Sequence, residues 1–105
     1  MERLRRRADF RAAATGLKVP SKAFVLQARK RDDAGPARIG FTVSGKVGTA
    51  VERNRVRRRL KAMVRGAAGL SGGNDYVLIG RRAALSLPFD EISQDFARAL
   101  RRVPK

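Results

Sequence analysis

The chain predicts an α+β sandwich in the order α-β-β-α-β-α, a small mixed sheet with helices packed on it, built as one domain over residues 1–105. Three patterns carry that expectation. Two short runs alternate apolar and polar residues, a third is almost continuously apolar, and two longer segments repeat apolar residues at helical spacing. The length leaves room for one hydrophobic core, and no internal repeat or low-complexity linker divides the chain.

Residues 3–14 predict a short helix. Ala12, Ala13 and Ala14 favour it, Thr15-Gly16 stops it, and Leu4, Ala8 and Phe10 give it a thin apolar side. Pro20-Ser21 then interrupts the chain. Over 23–29, Phe24, Leu26 and Ala28 fall on one face and Ala23, Val25, Gln27 and Arg29 on the other, the period of a half-buried strand. Asp32-Asp33-Ala34-Gly35-Pro36 reads as a turn. Over 37–43, Ile39, Phe41 and Val43 oppose Arg38, Gly40 and Thr42, so the two alternating runs read together as a β-hairpin. Thr49 can cap a helix that runs to about Arg65, with Gly66 and Gly69 at its end. Residues 70–75 form a loop, and Tyr76 to Ile79 is apolar throughout, as a central strand should be. Pro88 suits a first helical turn. Phe89, Ile92, Phe96, Leu100 and Val103 follow at helical spacing, with Asp90 and Glu91 near the start and Arg101 and Arg102 near the end, as the helix dipole prefers. Phe24, Phe41, Phe89 and Phe96 are expected in the core; for the thinly apolar first helix, the place of Phe10 stays open between core and surface.

Composition narrows the function. The chain carries 25 Lys plus Arg against 9 Asp plus Glu, a net charge of +16, with no His and no Cys. Without Cys there is no disulfide framework, thiolate zinc site or thiol nucleophile; without His the commonest general base and transition-metal ligand are missing. So large a charge repels itself, and a polyanion relieves it. The longest apolar stretches fall far short of the roughly 20 residues of a membrane span, and no apolar segment follows the basic Met1–Arg7, so neither a membrane partner nor a secretory signal is expected. The expectation is a cytoplasmic nucleic-acid binder.

Residues 53–61 (RNRVRRRLK) concentrate that charge. At about 100° per residue, Val56, Leu60, Met63 and Val64 form one core-facing stripe. Asn54, Arg57, Arg58, Lys61 and Arg65 fall opposite; Arg53, Arg55 and Arg59 flank the stripe, with Arg53 and Arg59 nearest the core edge. An ordinary exposed face mixes signs so that neighbours one turn apart attract, but no acid lies between Glu52 and Asp75. Arginine offers planar, bidentate donors to phosphate and stacks on bases. Asn54, a poor helix former, fits a polar contact to RNA or to a metal-bound water better than a surface accident. Asp32-Asp33 and the acids of the last helix read as turn and capping residues, and Gly72-Gly73 lacks the Lys-Ser/Thr of a phosphate loop. Arg5-Arg6-Arg7 and Arg81-Arg82 are either solvated charge or an extension of the basic surface.

Ser44 to Lys61 (SGKVGTAVERNRVRRRLK) resembles the signature of the protein subunit of bacterial ribonuclease P, in which an S-K-K-hydrophobic-G-x-A-V run leads into R-N-R. The similarity extends to Asp9-Phe10, Phe24-Val25-Leu26, Arg38-Ile39-Gly40 and Asp75-Tyr76-Val77. The resemblance implies a ribosomal protein S5 domain 2-like fold with a left-handed βαβ crossover, against the general handedness preference. It also implies a subunit without catalytic groups of its own. The RNA subunit would be the endoribonuclease, removing the 5′ leader of precursor tRNA with Mg²⁺ bound mainly by that RNA and the substrate. Its implied partners are ribonuclease P RNA and precursor tRNA, with no obligate protein partner. The RNA-binding positions carried over are Lys46, Arg53, Asn54, Arg55, Arg57, Arg58 and Lys61, and Arg65 continues their row. A leader-binding cleft is implied between one sheet face and the first helix, with Phe10 on its wall and Ala23, Val25 and Gln27 as its floor.

Three departures bear on that reading. Gly45 stands where relatives often have a first Lys, which removes one partner for a phosphate. Gln27 and Ala14 stand where relatives are often aromatic, weakening base stacking by about 1–3 kcal/mol for each missing ring. Charge and patterning alone do not separate this assignment from a ribosomal or other structural RNA-binding protein; the motif does. A DNA-binding reading lacks the short partner helix of a helix-turn-helix, and an autonomous nuclease lacks a carboxylate cluster or His.

Overall fold

One apolar strand organises the computed structural model, which describes residues 1–104. In chain order the elements are β1 (Glu2–Arg3), α1 (Arg7–Ala14), β2 (Leu17–Pro20), β3 (Phe24–Lys30), β4 (Arg38–Thr42), α2 (Ala50–Arg65), β5 (Asn74–Gly80) and α3 (Phe89–Arg101), with single 3₁₀ turns at Gly45–Val47 and Arg82–Leu85. The five strands form one mixed sheet in the order β1-β4-β5-β3-β2. β5, the apolar run, lies at its centre, antiparallel to β3 and parallel to β4.

The expected hairpin between the two alternating runs is therefore not formed, because β5 is inserted between them. Skipping one strand means crossing about 10 Å, and residues 31–37 are long enough to do so, where a tight hairpin would use two to five. The true hairpin is β2–β3, with Val19 opposite Leu26 and Pro20 opposite Val25. Pro20 is tolerated at the end of an edge strand, where its missing N–H costs no ladder bond. The first helix also starts later than expected. Glu2 and Arg3 instead pair in parallel with Arg38 and Ile39, Leu4 donates its N–H to the Ile39 carbonyl at 2.8 Å, and α1 begins at Arg7.

Strand alternation divides the side chains between two faces. Phe24, Leu26, Tyr76, Leu78 and Ile39 form the main core with Val56, Leu60 and Met63 of α2 and Ile92, Phe96 and Leu100 of α3. Phe24 and Phe96 meet edge to face with centroids 6.0 Å apart. On the other face α1 closes a smaller cluster of Leu4, Ala13 and Val77, with Phe10 and Ile79 at its margin. Phe89, expected in the core, is 44% exposed. It opens α3 immediately after Pro88, and the helix turns its apolar stripe onto the sheet only from Ile92 onward.

On the α1 face the first carboxylate of β5 is fully buried. Asp75 accepts from Arg38 through Nε at 2.7 Å and Nη2 at 2.7 Å, and from Arg31 Nη1 at 2.6 Å. Arg38 also reaches Asp9 of α1 at 3.4 Å, and Arg31 gathers the Pro36 and Asn74 carbonyls. Burial opposes ionisation of Asp75, but the hydrogen bonds and charge of Arg38 and Arg31 outweigh it and hold the carboxyl below its ordinary value.

The folded chain thus releases this proton at lower pH than the unfolded chain does. Its contribution to stability is complete above the unfolded carboxyl value of about 3.9 and is lost as pH falls through the lower folded value. Urea unfolding of the wild-type chain should weaken on acidification below about pH 5. Asp75→Asn, which leaves two cations without their partner, should lose about 3–5 kcal/mol at neutral pH and show a shallower acid dependence. An unchanged urea midpoint in that variant would contradict the clamp.

Candidate nucleic-acid interface

α2 begins with a reciprocal cap. Thr49 Oγ1 accepts the Glu52 N–H at 3.2 Å, and Glu52 Oε1 accepts the Thr49 N–H at 3.0 Å. Glu52 also accepts from Arg82 Nη2 at 3.0 Å, and Arg82 Nη1 donates to the Val47 carbonyl at 2.7 Å. The hydrogen bond from Arg82, then that from the Thr49 amide, holds the Glu52 carboxyl below its ordinary value. This linkage fixes the 3₁₀ turn that carries exposed Lys46 against the start of α2. Gly48 is required where the groups converge, since a Cβ there would lie 2.4 Å from Glu52 Oε1 and 2.7 Å from Arg82 Nη1. Sequence reasoning missed this role for Glu52 and Arg82, although the T-x-x-E spacing is itself a capping-box signal.

The helix buries the stripe its periodicity predicts: Val56, Leu60, Met63 and Val64 are all at most 3% exposed. The cations sort into two groups by what they touch. Arg59 Nη1 and Nη2 donate to the carbonyls of Leu85 at 3.2 Å and Leu87 at 2.6 Å, tying α2 to the segment before α3. Arg53 Nη1 donates to the Gly48 carbonyl at 3.2 Å. Arg55, Arg58 and Arg65 are exposed, and Arg57 and Lys61 are half-buried. Asn54 Oδ1 accepts from Arg57 Nη1 at 3.0 Å, so its side chain orients that guanidinium. Lys61 Nζ lies 5.9 Å from the centre of the Phe41 ring. Among the described residues, Glu52 is the only member of α2 in a salt bridge, leaving the cations of the outer row without acidic partners. Val51, Asn54, Arg57, Arg58 and Lys61 line a shallow groove along that row.

The second region lies on the α1 face. The ring of Phe10 rests on Gly40 of β4; a Cβ at Gly40 would come within 2.6 Å of Phe10 Cε1, so this close approach needs glycine. Phe10 is half-buried and spans the two sequence alternatives. Val25 and Gln27 share this sheet face with their β5 partners Ile79 and Val77. Val25 and Ile79 are half-buried, whereas Gln27 is 7% exposed. Ala23 does not contribute to the floor: it precedes β3 and is fully buried in the main core. The two regions occupy opposite sides of the sheet, α2 packing on one face and α1 on the other.

A family model described as Ribonuclease P matches residues 1–104. A protein of Gluconacetobacter diazotrophicus named "Ribonuclease P protein component" is 50% identical over 103 residues, covering 95% of this chain and 89% of the relative. One of the same name from Ruegeria pomeroyi is 47% identical over 105 residues, covering 95% and 84%. Among solved structures, the RNase P protein of Thermotoga maritima superposes with a TM-score of 0.80 at 26% identity, covering all of both chains. That of Staphylococcus aureus superposes with a TM-score of 0.77 at 26% identity, covering 98% of this chain and 97% of its own.

The two groups of cations should separate in the absence of any RNA. Arg59→Ala removes donors from two carbonyls and should lower the unfolding free energy by about 1–3 kcal/mol. Arg58→Ala, at an exposed position without a partner, should stay within about 0.5 kcal/mol of the wild type. Urea denaturation of both variants checks the distinction; equal losses would contradict it.

Proposed function

The chain belongs to the ribonuclease P family, and from that premise we propose that α2 with the turn before it binds the catalytic RNA while the α1 side of the sheet receives the 5′ leader of precursor tRNA. As a ribonuclease P protein component it is the protein subunit of a ribonucleoprotein, has an RNA partner and serves tRNA processing; the ribosomal alternative is not favoured.

The observation that carries the RNA-binding part is the outer row of α2. Arg55, Arg57, Arg58, Lys61 and Arg65 have no acidic partner among the described residues, while Arg53 and Arg59 are committed to internal carbonyls. The like charges along one helix repel, and closely spaced phosphates offset that repulsion while releasing their counterions. Arg57, held by Asn54, presents its remaining donors in a fixed plane, the geometry that suits bidentate phosphate binding. Lys46 extends the row past the helix start, and Arg53, bonded to the Gly48 carbonyl, lies between the two as a support. Gly45 adds nothing to that surface.

For the leader, the half-buried ring of Phe10 and the Val25–Ile79 surface supply an apolar platform of modest size. Gln27 replaces an aromatic surface by an amide, so backbone electrostatics carry a larger share of the grip. Among the described residues, no group of three or more His, Cys, Asp or Glu is placed to hold a metal ion. In this reading the Mg²⁺ of the reaction is held mainly by the RNA subunit and substrate. Endonucleolytic cleavage is assigned to that RNA, with the protein contributing binding and position. No helix among the described residues is long and apolar enough to cross a membrane, and the cytoplasm, where precursor tRNA is made, is the proposed location.

Reconstitution with a bacterial ribonuclease P RNA tests this directly. At low Mg²⁺ the wild-type chain should stimulate 5′ maturation of a precursor tRNA; no stimulation would overturn the reading. Replacing Arg57, Arg58 and Lys61 by Ala should weaken RNA binding and flatten the log–log salt dependence by up to about 2–3 units, whereas an unchanged slope would place the row outside the interface. Affinity for precursor tRNA should rise with leader length until the cleft is filled, and independence from leader length would count against the cleft.

A further inference from the structure

A cleft of about 330 Å³ opens on the α2 side of the sheet, beside the edge where β1 ends, and its lining includes Glu2, Arg3, Phe41, Lys61 and Arg65. Its size falls in the range of small-ligand clefts. β1 covers the edge of β4 only at Arg38 and Ile39, so the side chain of Phe41 lies beyond the cover and stays half-buried. Ile39 and Val64 close the floor beside it. One wall is the C-terminal half of α2, which contributes Lys61 and, one turn on, exposed Arg65; Arg3 stands on the opposite rim. The lining thus combines one accessible aromatic ring, an aliphatic floor, three cations and the single carboxylate of Glu2.

We propose that this cleft holds one unpaired nucleotide of the RNA partner, its base against the Phe41 ring and its phosphate between Lys61 and Arg65. The inference rests on the functional reading above and extends it to an aromatic cleft that shares Lys61 and Arg65 with the basic row and lies on the opposite side of the sheet from the leader cleft. The partner's chemistry follows from the lining. A flat aromatic surface accepts any base face, the flanking cations accept a phosphate, and Glu2 can accept hydrogen bonds from a base amino group. Continuity gives the second argument: Lys61 belongs both to this cleft and to the groove with Arg57 and Arg58, so a strand whose phosphates follow the outer row of α2 is delivered to the cleft mouth. Lys61 Nζ sits 5.9 Å from the ring centre, at the outer limit of a cation–π interaction. Moving that ammonium onto a phosphate uncovers the ring face for a base.

Two measurements test the site. Phe41→Leu keeps an apolar side chain but removes the aromatic face. It should weaken binding to a bacterial ribonuclease P RNA about tenfold while leaving the log–log salt slope unchanged, because every phosphate keeps its cation. Wild-type affinity in that variant would overturn the proposal. Because Phe41 also packs against the core, the second measurement uses the wild-type chain. Four RNA transcripts, each with one base type replaced by its photoreactive analogue, are bound, irradiated and analysed for cross-linked peptides by mass spectrometry. A cross-link on Phe41 or its immediate neighbours supports the proposal. Cross-links confined to the Asn54–Arg58 surface or to the α1 side of the sheet overturn it alone, while absence of any complex overturns it together with the functional reading.

Discussion

The placement of β5 rests on one buried carboxylate. Asp75 is the first acidic group of the central strand, it is inaccessible to solvent, and it is bracketed by Arg31 from just past the end of β3 and Arg38 from the start of β4. Those two arginines belong to the segments that β5 must separate. The inserted arrangement lets one carboxylate meet both, and a two-residue slip along either ladder would part the carboxylate from one of them and leave a charge inside the sheet, which is costly. The same cluster reaches Asp9, so it also seats α1 on its face. Around this cluster the parallel β4–α2–β5 crossover leaves the second face of α2 outward, and the Val25–Ile79 surface lies on the α1 side.

A chain with a net charge of +16 divides its cations between the fold and the surface. Arg31 and Arg38 hold the sheet, Arg82 holds the approach to α2, and Arg53 and Arg59 hold α2 to its neighbouring loops. Each is paired with a carboxylate or a carbonyl. What remains on α2 is a row of cations with no acidic partner, oriented by a helix whose other side is locked into the core. The proposed binding surface is what that allocation leaves over, and the helix that carries it is held by the same bonds that engage the other arginines. A preorganised row loses less freedom on meeting a phosphate backbone than a flexible tail does.

Much of this was legible because it is local. The period of α2 identifies Val56, Leu60, Met63 and Val64 as its buried stripe without reference to any other element, and Thr49 marks its start. Alternation likewise places Phe24 and Leu26 opposite Val25 and Gln27. What the sequence leaves open is non-local. Which strand neighbours β3 depends on Asp75, a residue that reads locally as the end of a Gly-rich loop. β1 is two residues of edge pairing with no periodicity to reveal it, and β2 is masked by Pro20. Phe89 has the right spacing for the core but lies in a first turn that overhangs the sheet. Ala23 has the right alternation for the leader face but precedes the strand. The arginines of residues 53–59 look alike as letters, and which of them are drawn into the fold depends on carbonyls supplied by neighbouring loops.

The proposed interface requires that an RNA cover the outer row of α2 while the inner arginines are already committed to the fold. Arginine-selective chemical modification, read by mass spectrometry on the free chain and on its complex with a bacterial ribonuclease P RNA, tests it most directly. Arg57, Arg58 and Arg65 should react in the free chain and be protected in the complex, while Arg31, Arg38 and Arg59 should react slowly in both. Equal reactivity of Arg58 with and without RNA, or strong protection confined to Arg59, would contradict it.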